Sequence, residues 1–552
     1  MRRLLTAVFV ANLAVGTIGL LAGCAGEKKE SAGKEAAGKQ EAPAHGDAIV
    51  FGSNGDVSGF LTAVTSDSAS HDAAGYVFNG LVRYDKNVKL EGELAESWEV
   101  APDGKKITFR LRKGVQWHDN VAFTSEDVMF TYRKMIDPKT PTAYAEDFRQ
   151  VRRASNPDPY TFVVEYDKPF APALASWGMS ILPKHLLEKY EDISKSPLNK
   201  SHPIGTGPYK FVEWKPGERV VFEANPDYFE GKPYLQRVIT RVIPDQATMF
   251  LELKSGGIDS MNLTPLQYTR QTETGEFRKS YKKYRYTAFN YTYLGFRLSH
   301  PFFADRKVRQ AIAHAVNKKE LVEGVLFGLG QEAIGPYKPG TWVYNPDVPK
   351  FPYDPAKAKG LLAEAGWRPG GDGTLEKGGK KFLFTVLTNA GNESRAKAAA
   401  ILQQNLAAVG IQMEIRTVEW AAFINEFVDK RKFDAVILGW SVTPDPDQYD
   451  IWSSKKTGPK ELNFVGFSNP EVDRLLEDGR RTFDIEKRRM AYFRIQEILA
   501  EELPYVFLYV PDSLPTVHGR FHGIEPAPIG ISYNFIKWFV PKEQQKYTSF
   551  RK

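Results

Sequence analysis

From residue 105 the chain reads KKITFRLR, with polar and apolar positions alternating as they do in a strand that buries one face. Pro102, Asp103 and Gly104 directly before it are turn residues. Thr124, followed by Ser125, Glu126 and Asp127, supplies a helix N-cap with acid in the first turn and predicts a helix to about 135. A second strand is predicted at 160–166, YTFVVEY, and others at 47–51 and after a helix end within 76–85. The region 89–205 thus reads as strands with short helices. Past Pro301 the pattern turns helical, at 306–324 and 354–366. The clearest unit is an apolar strand at 382–387, a polar loop, a helix at 394–409 and a strand at 411–418. Strand, helix, strand in that order is a crossover that pairs the strands in parallel in an α/β lobe. The nearly continuous apolar runs 433–440 and 505–510 predict strands buried on both faces. No internal repeat is present.

The first 46 residues follow another pattern. Arg2 and Arg3 precede an uncharged, largely apolar stretch from Leu4 to Ala22, which has the shape of an export signal. Thr6, Asn12 and Thr17 make it a poor membrane span. It ends at Cys24, the single cysteine of 552 residues, which has no partner for a disulfide or a zinc site. Leu21-Ala22-Gly23-Cys24 closely resembles the lipobox of bacterial lipoproteins. The resemblance implies cleavage after residue 23 and a lipid on Cys24. Residues 25–46 contain no Val, Ile, Leu, Phe, Tyr or Trp, so the segment 24–46 reads as a disordered tether. Such a coil reaches roughly 25 to 30 Å. The expectation is an exported protein, in the periplasmic space or at the cell surface, moored to a membrane by lipid.

About 500 residues remain, too many for one core, so two or three lobes are expected. Of the formal charge of +7, Arg2 and Arg3 leave with the signal. The remaining charge is too dilute for nucleic-acid binding, and the basic clusters at 278–283 and 487–489 read as solvated faces. No HExxH, GxSxG, GxxxxGK[ST] or helix-opening GxGxxG occurs. Gly205-Thr-Gly-Pro208 is followed by a strand-like run rather than a phosphate-binding helix start. Lys456-Thr-Gly458 lacks a usable SxxK. Asp445, Asp447 and Asp450 lie in a proline-containing run that reads as a turn, and the nine histidines share no ligand spacing. No catalytic residue, metal site or cofactor is therefore assigned. Aromatic residues, at 13% with 25 Tyr and 10 Trp, suit a protein that encloses a ligand.

LAESWEV at 94–100, FRLRKGVQWHD at 109–119 and FTSEDV at 123–128 closely resemble the signature of extracellular solute-binding proteins, family 5, the peptide-binding components of ABC transporters. GTGPYKF at 205–211, NPDYF at 225–229, VRQAIAHAV at 308–316 and YDPAKA at 353–358 follow in the family's order. The resemblance implies an α/β, two-lobed periplasmic-binding-protein fold of the large, three-subdomain type, with a hinge and an interlobe cleft. Lobe I would comprise 47–88, 206–290 and 507–552, with 89–205 as its inserted subdomain, and lobe II 291–506.

For the site, the resemblance implies that the strand ending in Gly439-Trp440-Ser441 pairs with a peptide backbone. An Asp that binds the peptide's amino group in relatives corresponds to Thr443, with Asp445 or Asp447 as possible substitutes. Asn389, Tyr144, Tyr291 and Tyr509 match ligand-facing positions. The implied protein is a monomeric, non-enzymatic receptor that delivers a di- or oligopeptide to a permease of membrane subunits plus ATPase. The same fold also serves oligosaccharide and metal-chelate receptors, and a secreted hydrolase is the reading from another class.

Overall fold

The structure is a computed structural model that describes residues 42–547. Cys24, the signal 1–23 and most of the tether lie outside the described residues. Two seven-stranded sheets organise the rest. The first runs, in spatial order, Tyr281–Lys283, Pro515–His518, Ser260–Asn262, Ala48–Ser53, Arg237–Val242, Arg219–Ala224 and Tyr209–Lys215. The second runs Tyr286–Thr287, Tyr505–Ser513, Asn290–Phe296, Ala435–Ser441, Leu383–Asn389 and Gln412–Val418, with Gly330–Glu332 also against Tyr505–Ser513. A four-stranded antiparallel sheet, Ala95–Val100, Lys106–Leu111, Thr161–Tyr166 and Val151–Asp158, lies between two passes through the first sheet. No helix among the described residues is long and apolar enough to cross a membrane.

The periodicities become the expected elements. Lys106–Leu111 buries Ile107, Phe109 and Leu111 on one face. Thr124 caps Ser125–Ile136, and Asp127 returns the bond in a capping box. Leu383–Asn389 pairs in parallel with Gln412–Val418, joined through the helix Glu393–Ala407. In Ala435–Ser441, Ala435 and Ile437 face one apolar cluster, with Leu402 and Leu406, while Val436 and Leu438 face another, with Trp452 and Phe507. The second sheet is therefore covered on both faces.

Two expectations change. The helical pattern at 306–324 breaks after Arg306–Ala315, because Val316 is extended and Asn317 caps a new turn by accepting the Glu320 N–H. The lobe boundary expected at 507 falls inside the strand Tyr505–Ser513, whose pairing with Asn290–Phe296 keeps it in the second lobe. The chain crosses between the sheets at 283–286 and returns at 513–515. The region 89–205 packs on the first lobe: Phe109, Phe162 and Trp177 share one apolar cluster with Ile49, Phe60 and Trp538.

Candidate functional site

A cavity of about 1250 Å³ opens between the two sheets. The helix Ser68–Val77 forms part of its first-lobe wall. Asp67 caps this helix by accepting the Ser70 N–H at 2.9 Å. Its buried residues, Ser70, Ala73, Ala74 and Val77, recur at i, i+3, i+4 and i+7, which turns Ser68, Asp72 and Gly75 toward the cavity. From the second lobe come Asn389, at the end of its strand, Asn392 and Arg395, at the start of the following helix, and Trp420. The lobes meet at the rim. Gln246 Oε1 accepts the Glu393 N–H at 2.9 Å across the gap. Gly391 sits against the Pro244 carbonyl with φ of +79°, where a Cβ would lie 1.9 Å from that oxygen. Only glycine fits that approach.

Charge is distributed unevenly over the walls. Arg83 is paired with Glu230 at 2.7 Å and Glu91 at 2.8 Å. Beside them Glu93 accepts from Asn79 Nδ2 and the Gly80 N–H, and burial pushes its carboxyl up to about 7 against the pull of Arg83. Burial, and secondarily the neighbouring Asp67, raises Asp72 to about 6. Arg395 donates from Nη1 to Asn389 Oδ1 at 2.7 Å, and enclosure lowers the affinity of its guanidinium for protons.

Next to Arg395 the second sheet splits. The Val442 N–H donates to the Phe289 carbonyl at 2.8 Å. Because bonds alternate along an antiparallel ladder, Trp440 faces the same partner strand, while Gly439 and Ser441 turn their backbone groups to the other edge. There Leu383–Asn389 pairs only at Val386 with Ala435 and Leu387 with Val436. The Thr388 hydroxyl then donates to the Ile437 carbonyl at 3.0 Å. Past Ile437 no strand among the described residues covers that edge. A Cβ on Gly439 would lie 3.0 Å from Arg395 Nη2, so the open edge adjoins the cavity wall.

Of the expected ligand-facing residues, Asn389 lines the cavity. Gly439 stands behind Arg395. Trp440 is half-buried, stacked on Phe464 with ring centroids 5.8 Å apart, and donates from Nε1 to the Tyr505 hydroxyl at 3.3 Å. Ser441 and Thr443 are exposed, the latter donating to the Asp445 carbonyl at 3.2 Å. Tyr144 packs on the first-lobe core and reaches the Thr65 carbonyl at 3.4 Å. Tyr291 and Tyr509 are only 2% and 1% exposed, in the second-lobe core. Both lie on strands in the middle of a covered sheet, the core placement that those positions also allowed. Asp445 and Asp447 are no free substitutes for an amino-binding acid: Asp445 holds Arg488 through two contacts of 2.9 and 3.1 Å, and Asp447 pairs with Arg480 at 3.0 Å. Asp72, Arg395 and Trp420 were missed from sequence, since nothing local marks a residue that acts across a gap.

The family model for bacterial extracellular solute-binding proteins, family 5, matches residues 89–461. The oligopeptide-binding protein AppA of Bacillus subtilis is 35% identical over 98% of this chain and 100% of its own. Its structure in complex with a nonapeptide superposes with a TM-score of 0.86 at 34% identity, covering 91% of this chain and all of that one. The structure of NikZ from Campylobacter jejuni with Ni(L-His) gives a TM-score of 0.81 at 29% identity, over 89% of this chain and 99% of NikZ. The sheets, crossings and cleft described above are thus those of a two-lobed binding protein, a receptor class without catalytic activity. The chain belongs to the bacterial extracellular solute-binding proteins, family 5.

Proposed function

We propose that this protein captures an oligopeptide in the interlobe cavity and delivers it to the permease of an ABC importer, moored outside the cytoplasmic membrane by a lipid on Cys24. The observation that carries the reading is a cavity of about 1250 Å³ beside an unpaired strand edge. Ordinary small-molecule sites enclose roughly 300–1,000 Å³. An extended peptide fills the larger volume and satisfies the backbone groups of Gly439 and Ser441 as an added strand, which is a sequence-tolerant mode of binding. Asn389 holds the far side of the notch, Trp440 and Thr443 shape its mouth, and Tyr291 and Tyr509 act from behind by fixing the sheet. The two crossings, 283–286 and 513–515, are the hinge about which the lobes close.

Native mass spectrometry of the purified protein, joined to small-angle scattering with and without ligand, tests this. A retained series of uncleaved peptides and compaction on binding are expected. Retention of a sugar or a metal chelate, release of cleaved peptide, or unchanged dimensions would overturn it.

A further inference from the structure

Two charges of opposite sign face the cavity, one from each lobe, and neither has a counter-ion among the described residues. The Asp72 carboxylate takes part in no hydrogen bond or ion pair among the described residues, and the charge that acts on it is another carboxylate, Asp67. It is accessible to water inside the cavity while protein surrounds it, so what it meets there is whatever the cavity holds. Arg395 has no carboxylate partner among the described residues, only the neutral Asn389. Arg83 and the carboxylates of the lining other than Asp72 are occupied. Arg83 serves Glu91, Glu93 and Glu230; Asp56 accepts from Trp214 Nε1 and the Gly217 N–H; Glu525 accepts from Tyr533. Lys86 and Lys537 also line the cavity and are exposed, as Asp72 is.

Unpartnered groups of opposite sign on facing walls of a ligand cavity are where a ligand's own charges can be met. Resting on the peptide reading above, we propose that the ligand supplies both missing charges: a peptide ammonium or other basic group docks on Asp72, and a peptide carboxylate or carbonyl docks on Arg395. The rise of the Asp72 carboxyl to about 6 agrees, since a cation at that point would reverse it. Because the two groups sit on different lobes, a ligand that engages both also draws the lobes together. The Asp72 side of the cavity then favours a positive group of the peptide, although position 443 lacks the acid that would bind one at the strand end.

The test incubates wild-type protein, Asp72→Asn, Asp72→Ala and Arg395→Met with a randomised hexapeptide library, free, N-acetylated or C-amidated, and quantifies the retained peptides by mass spectrometry after confirming each fold by circular dichroism. Roughly tenfold weaker retention of acetylated peptides by wild type, absent in both Asp72 variants, places the α-amino group on Asp72. Enrichment of Lys and Arg in the wild-type pool, lost in both Asp72 variants, places a basic side chain there. Loss of the amidation effect in Arg395→Met supports the second contact. If wild type and the Asp72 variants retain the same peptides equally well, the proposal is overturned and the peptide reading stands. If wild type retains no peptide, the peptide reading fails and the proposal with it.

Discussion

His118 lies in the stretch that carried the family resemblance, and its environment fixes its chemistry. The Gly205 N–H can only donate, so it reaches Nδ1, at 3.3 Å, as acceptor. Nε2 therefore carries the proton and donates to the Gly207 carbonyl at 3.0 Å. Burial lowers the imidazole to about 4, the carbonyl acting the other way. The unfolded chain takes up a proton near 6.5 that the folded one refuses until about 4. The stability from this group is thus complete above 6.5 and is lost as pH falls toward 4, in all by about 3 kcal/mol. His118→Gln keeps an N–H donor and removes the titration. Urea denaturation at pH 7 and near pH 4.5 should show the gap between wild type and variant shrinking at the lower pH by about that amount. A gap that stays constant would mean that the imidazole is not held neutral. The sequence marked the residue through its neighbours, but its partners are two glycines far along the chain.

At the scale of elements, those glycines join the inserted region to the wall of the cavity. The segment 205–208 lies across the C-terminal end of Ser68–Val77. The Gly207 N–H donates to the Val77 carbonyl at 2.8 Å, and the Thr206 hydroxyl to Asn79 Oδ1 at 3.0 Å. A Cβ on Gly205 would lie 1.8 Å from the Val77 oxygen, which neither backbone can yield without moving. Gly205→Ala should cost about 3 kcal/mol by denaturant titration, in the range of severe packing strain. Calorimetry should also show weaker peptide binding, because the displaced helix is the one that presents Asp72. Thr206→Ser, which keeps the hydroxyl, should change both little. From sequence this motif was legible as a glycine-rich turn without a phosphate-binding helix. That its glycines make room for a helix end was not, because no local period encodes contact with a distant carbonyl.

In the whole molecule the two lobes are also fastened away from the cavity. Arg480 of the second lobe is only 1% exposed and sits between the rings of Phe170 and Tyr449, its carbon 4.9 and 4.3 Å from their centroids. It pairs with Asp147 of the inserted region and with Asp447 of its own lobe, and its carbonyl accepts the Ala171 N–H at 2.6 Å. Asp147→Asn removes the charge that crosses the gap and leaves the pair with Asp447. Peptide affinity should fall roughly tenfold with no cavity residue altered, and scattering should show a more expanded unliganded protein. Unchanged affinity and dimensions would make the pair a passive contact. The amino-acid sequence by itself determined most of the elements, the parallel crossover, the double burial of the central strands and the family, because each is written in local periodicity and short motifs. Tertiary structure alone decided which charges meet. It paired Asp445 and Asp447 with arginines, sank Tyr291 and Tyr509 into a covered sheet, and left Asp72 and Arg395 facing one cavity. The physical reason is that ion pairing and enclosure depend on what lies across a gap, and residues there are brought together by long-range strand pairing rather than by their neighbours in the chain.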